Sequence, residues 1–240
     1  MTSLGSNSAR QNSYEAPPQR PAGRIEDVTR VTLRPLGSAF PLGFFTVAVA
    51  TALAGSLQLG LINSKAAVAI GLLFIPAFLL QFVVAIFALL SRDSMAGTVM
   101  GTFAGSWGVS ALAFTLHPAD TNQALAVFFF LFTIFAAMMA YAAIPKRAMQ
   151  AVLMVAVPRF FFAGLYEATR STTIERIAGG FGFLLAAVAL YTAFALMLED
   201  MRGKTVLPTG RQGPARGAIE GELSDQLVGL EHTAGVRRTL

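Results

Sequence analysis

From Phe40 to Leu198 the chain alternates long apolar blocks with short polar breaks, and this block pattern overrides any shorter periodicity. The six blocks fall at 40–62, 66–90, 95–116, 123–144, 149–168 and 177–198, and their only charges are Arg159 and Glu167, both in the fifth. Each is about 20 residues long, which at about 1.5 Å per residue lets a helix cross about 30 Å of hydrocarbon. Short connectors make consecutive helices antiparallel neighbours, and the ten-residue alternating segments of a membrane barrel are missing. The pattern predicts an all-α membrane protein: a six-transmembrane-helix bundle over 40–198, between an N-terminal tail (1–39) and a C-terminal tail (199–240).

Composition agrees. A chain that is 55% hydrophobic and 13% charged, with mean hydropathy +0.61, is too apolar to coat a soluble domain. Six crossings put both termini on one face, together with the connectors after the second and fourth spans. That face collects 14 Lys and Arg, against Lys65, Arg170 and Arg176 on the other. The imbalance predicts cytoplasmic termini and a multi-pass protein of the plasma membrane. The basic pI thus reports topology; no nucleic-acid-binding signature accompanies it.

Residues 1–39 carry no apolar run and read as a disordered cytoplasmic tail, neither signal peptide nor domain. In the C-terminal tail Ile219, Leu223, Leu227 and Leu230 recur at helical spacing. They predict a short amphipathic helix whose Glu220, Glu222 and Asp225 give it no basic membrane-binding face.

The chain offers little for catalysis. It has no cysteine, two histidines far apart in sequence, no phosphate-binding loop and no nucleophile–base set. An enzyme is not expected, nor is a cofactor or a metal.

The spans hold more specific signals. In the third, Gly97, Gly101, Gly105 and Gly108 make a side-chain-free strip for close helix packing, which also has the option of lining a narrow path beside Thr98, Thr102 and Ser106. Trp107 lies midway along that span, away from the interfacial belts, as buried packing or as a constriction. Gln81, deep in the second span, needs a partner across a helix interface or a substrate contact. Arg159 is the sharpest signal. It costs about 2.5–3.5 kcal/mol at a helix centre on insertion scales, and it lies ~12–15 Å from either end of its span, too far to snorkel. Glu167, eight residues on, is out of reach along one straight helix. Arg159 therefore has three options. It takes the Met154 carbonyl freed by Pro158, with Gln81 or third-span hydroxyls; it faces a watered path and holds a carboxylate; or it meets a subunit interface or marks a broken fifth span.

A family resemblance rests on further residues. The exit from the sixth span, "ALYTAFALMLEDMRGKTVLPTG", resembles the end of the acetate uptake transporter (succinate–acetate permease) family, whose closing run is represented by Gly203 to Pro208. "PLGFF" (Pro41, Leu42, Gly43, Phe44, Phe45) is similar to the family signature at the start of helix 1, and "TFAGSW" (Thr102 to Trp107) to its helix 3 run. "AGGFG" at 178–182 agrees, so the resemblance spans about 36–210. This chain departs from the family at Ser38, Ala39 and Ala104, around Gly55, and at Pro158, which takes an apolar constriction position.

The resemblance implies six-helix protomers assembled as a hexamer in the lipid bilayer. Each protomer would have its own path for acetate or a related small monocarboxylate, with or without proton coupling. The expected path residues are Pro41, Leu42, Gly43, Phe44, Gln81, Thr102, Gly105, Ser106, Trp107, Arg159 and Phe160. The altered constriction leaves an alternative: a channel for another small solute, or a scaffold that transports nothing.

Overall fold

The computed structural model describes residues 37–91, 93–116 and 121–221; most of the two tails, including the amphipathic pattern beyond residue 221, lies outside these. The helices are α1 (Phe40–Gln58), α2 (Ala67–Leu90), α3 (Ser94–Leu116), α4 (Thr121–Ala142), α5 (Arg147–Thr169), α6 (Thr172–Arg202) and the short α7 (Pro214–Glu220). Among the described residues six helices are long and apolar enough to cross a membrane, with α2 extended by the 3-10 turn Ser64–Ala66.

Local chemistry explains the helix ends. Pro41 sits in the first turn of α1, where its missing N–H is harmless. That helix stops at Gln58, short of the apolar block's end, because Gly60 turns to φ 73° and Leu61 N–H donates back to the Ser56 carbonyl at 2.9 Å. Asp93 Oδ1 accepts from Ala96 N–H at 3.1 Å and so caps α3. The last helix is the reverse case. Its 31 residues, about 46 Å of helix, overrun the apolar block at both ends. Hydropathy marks the part inside the bilayer, whereas a helix ends only where a breaker stands, here Gly203 at φ 61°.

Packing pairs α1 with α6, α2 with α3, and α4 with α5, while α5–α6 and α1–α2 contacts join the pairs. The α1/α6 seam is built on glycines: a Cβ at Gly55 would come within 2.9 Å of the Gly179 carbonyl oxygen, and one at Gly182 within 3.2 Å of the Thr51 carbonyl oxygen. On the α3 strip, Gly97, Gly101 and Gly108 face Leu89, Ala85 and Phe78 of α2. Gly105 is exposed on the protomer, with nothing within 4 Å of a Cβ there. Apolar side chains such as Leu72, Leu79, Phe82 and Ile134 point outward, as a lipid-facing surface requires.

Beyond α6 the chain returns to the bundle. Ala148 N–H donates to the Thr209 carbonyl at 3.0 Å, Gln212 N–H to the Pro145 carbonyl at 2.9 Å, and the Tyr191 hydroxyl to the Pro208 carbonyl at 2.9 Å. Residues 203–213, read from sequence as the start of a tail, form a strap over the end of the bundle that carries both termini. Gly210, at φ 62°, passes so close to Arg147 that a Cβ would lie 2.6 Å from the arginine Cβ.

Candidate pathway and its buried arginine

A cavity of about 750 Å³, mouth included, runs from the middle of the bundle toward the end away from the termini. Its α1 side is Val47, Thr51, Ala54 and Gln58, positions at helical spacing on one face. Facing them are Ser106, Trp107 and Ser110 of α3, Leu125 and Phe129 of α4, and Arg159, Ala163 and Glu167 of α5.

Arg159 lies at the inner end of this space and is 8% exposed. Its Nε is 3.3 Å from the place a Cβ on Gly182 would occupy, so the guanidinium fits against the α1/α6 seam because residue 182 has no side chain. Among the described residues its Nη1 has no hydrogen-bond partner, and neither does Gln58 Oε1 near the mouth. Three of the partners considered from sequence, Gln81, Ser106 and Glu167, are engaged elsewhere. Gln81 accepts from Trp107 Nε1–H at 2.7 Å and donates to Met100 Sδ at 3.4 Å, while the Ser106 hydroxyl donates to the Phe103 carbonyl at 2.7 Å. Glu167 pairs with Arg170 at 2.8 Å at the mouth. A buried charged N–H with no partner costs at least 1–3 kcal/mol, in round figures, relative to one that is satisfied. An anion entering this cavity removes that cost through a charge-assisted hydrogen bond.

The walls are apolar and stiff. Trp107, held by Gln81 from behind, packs its ring 5.3 Å from Phe74, so it is both buried packing and cavity wall. Phe160 forms the floor with Phe103 and Phe129, at ring separations of 5.5 and 6.2 Å. Phe44, 1% exposed and one turn from Val47 on α1, lines a second cavity at the terminal face. That second cavity has a volume of about 370 Å³, open space at its mouth included, and is bounded by Phe40, Phe44, Asp93, Lys146, Thr209 and Arg211. Lys146 is ion-paired with Asp93, and Arg211 with the buried Glu199 at 2.7 Å.

Of the expected path residues, Ser106, Trp107, Arg159 and Phe160 line the first cavity, Phe44 lines the second, and Gln81 stands behind Trp107. Pro41, Leu42, Gly43, Thr102 and Gly105 line neither. Leu42 is 41% exposed because it sits about 200° around α1 from Phe44, and Gly43 packs against Met100 and Val84. Gly105 is similarly turned about 200° from Phe103 and Trp107. Thr51, Gln58, Phe129 and Leu185 were not singled out from sequence. For Thr51 and Gln58 the signal, a seven-residue step on the Phe44 face of α1, shows only once that face is known.

Comparison with known proteins supplies the family. No curated protein sequence matches the chain. The solved structure described as the bacterial acetate channel SatP is similar to it at 21% identity and TM-score 0.67, over 73% of this chain and 99% of that one, and shows the same six-helix fold. The family model described as the GPR1/FUN34/yaaH family matches residues 24–210, most of the chain, so this protein belongs to that family, the acetate uptake transporter family that its motifs resemble.

Proposed function

We propose that each protomer carries acetate or a similarly small monocarboxylate through its own bundle, with Arg159 holding the carboxylate. The observation that carries this is the buried guanidinium with a free Nη1 at the inner end of a cavity walled by aromatic rings. Fixed positive charge selects an anion; the apolar walls favour a small organic one, whose methyl or short chain they cover. Membership of an acetate transporter family and likeness to an acetate channel support the substrate class.

A guanidinium that grips a carboxylate also slows its departure, so this site suits a slow, selective carrier better than an open pore. Glu167 is the one acid in the first cavity's lining, and it is engaged with Arg170, so an accompanying proton travels on the weak acid itself. The charge asymmetry between faces supports cytoplasmic termini in the plasma membrane, and the resemblance supports a homo-oligomer, a hexamer.

The test is uptake of labelled acetate by proteoliposomes, comparing wild type with Arg159→Gln and Arg159→Lys. Saturable uptake is expected in the wild type, lost in the glutamine variant while its melting profile shows a folded protein, and partly kept in the lysine variant. Uptake that persists unchanged in Arg159→Gln, or that is equal for acetamide and acetate in the wild type, would instead support a channel for another small solute.

A further inference from the structure

The second cavity, with its lysine and arginine, has no part in holding the carboxylate at Arg159. Phe44, which lines it, lies one helical turn from Val47 of the first cavity, so the second cavity stands between the first and the terminal face on the α1 side. Each of its two cations already holds a carboxylate from the protein, Asp93 on Lys146 and Glu199 on Arg211. That is the chemistry by which a monocarboxylate would be recognised.

We propose that Lys146 and Arg211 form a second carboxylate-binding site, roofed by residues 203–213, in which Asp93 and Glu199 stand where the substrate's carboxylate binds. The proposal rests on the transport reading above. A substrate carboxylate enters by exchange: it takes one cation, and the displaced side-chain carboxylate turns to water or to the other cation. Charge stays balanced throughout, so the site receives an anion without trapping it.

The roof has the character of a part that opens. Its contacts to the bundle are polar: the Ala148–Thr209 and Gln212–Pro145 backbone bonds, the Thr209 hydroxyl on Glu199 Oε2 at 3.1 Å, and the Arg211–Glu199 pair. Gly203 and Gly210, both at positive φ, bracket most of it. Its apolar residues anchor it little, since Val206 is 42% exposed and Leu207 only half-buried. Segments held by exchangeable polar contacts, with little buried apolar area, are those that open at least cost.

The chain has no cysteine, so single thiols can be placed cleanly. In purified Met149→Cys protein, whose thiol replaces a buried side chain in this cavity, an anionic thiosulfonate reagent is expected to react about tenfold faster than a cationic one of equal size. Adding Lys146→Gln and Arg211→Gln leaves Asp93 and Glu199 without their cations and should reverse the preference, and excess acetate should slow the anionic reagent in the parent protein. Equal rates for both reagents, or a preference that survives the two substitutions, overturns the site. In the Ala148→Cys/Thr209→Cys protein, a disulfide tying the roof to α5 should cut acetate uptake about tenfold or more, with recovery on reduction; unchanged uptake after complete cross-linking overturns the roof as a moving part. If the reduced protein carries no carboxylate at all, the transport reading fails, and the reagent rates still decide the site.

Discussion

Gly182→Ala is the most selective perturbation of the proposed carboxylate contact, because it changes neither the charge nor the lining of the cavity. The new Cβ would lie 3.2 Å from the Thr51 carbonyl oxygen, 3.3 Å from Arg159 Nε and 3.4 Å from the Gly55 Cα. Two of these three neighbours are α1 backbone and cannot swing aside, so the guanidinium must shift by a few tenths of an ångström. Overpacking of this kind destabilises by about 1–3 kcal/mol. Weakening one charge-assisted hydrogen bond to substrate loses up to about 1.5–3 kcal/mol, a rise in half-saturation of about tenfold to a hundredfold. The assay is concentration-dependent acetate uptake in proteoliposomes, with a thermal melt on each preparation. Gly55→Ala is the control: its Cβ would meet the Gly179 carbonyl oxygen at 2.9 Å and the Phe183 ring at 3.1 Å, in the same seam but away from the guanidinium. Both variants should melt earlier, and only Gly182→Ala should raise half-saturation. An equal rise in both, or none in folded Gly182→Ala, would refute the idea that the seam positions Arg159.

Other outcomes follow from the same geometry. Trp107 is the chain's one tryptophan and lines the cavity, so acetate should change its fluorescence in the wild type and leave it unchanged in Arg159→Gln; a response in neither counts against binding in this cavity. Gln81→Leu strands the buried Trp107 N–H and should lower stability by about 1–3 kcal/mol, read as an earlier thermal melt. Phe160→Ala removes a ring that Phe103, Phe129 and Phe132 pack against; it should cost about 3–5 kcal/mol and let uncharged solutes such as glycerol leak through, measured by liposome swelling. Gly97→Ala, whose Cβ would sit 2.6 Å from the Leu89 side chain, should lower the melting temperature, whereas Gly105→Ala, with nothing within 4 Å, should leave the protomer's own packing unchanged.

How far the sequence could be read depended on which physical signal marked each feature. Charge exclusion over about 20 residues is enforced by the bilayer itself, so the six spans were plain, and Arg159 stood out because it breaks that rule. Which face of each helix looks inward was hidden. A membrane helix is apolar all round, so periodicity does not separate lumen from lipid as it separates core from water in a soluble protein. That is why Leu42 and Gly105 were grouped with Phe44 and Trp107 although each is turned away from the cavity. The glycines of α6 were quoted only as motif residues; their use as the bed for a guanidinium depends on α1 lying alongside, a tertiary fact. The strap was missed for a different reason. "GKTVLPTG" is polar and breaks helices, as a loose tail would be, and only its hydrogen bonds to Pro145, Ala148 and Tyr191 reveal that it is pinned to the bundle.

The two cavities differ in charge in a way that bears on direction. Among the described residues, the cation of the first cavity stands without a protein carboxylate, whereas in the second each cation already has one. A carboxylate bound at Arg159 therefore gives up a strong contact on moving toward the terminal face, and it recovers that loss only by displacing Asp93 or Glu199. The internal competitors are then what lets the second site release its anion. Glu199→Gln removes the carboxylate on Arg211 while leaving Arg159 and the first cavity intact. It should lower the maximal rate of acetate uptake several-fold, because Arg211 then grips the carboxylate as Arg159 does and slows its departure. An unchanged or higher maximal rate in a folded variant would refute the exchange.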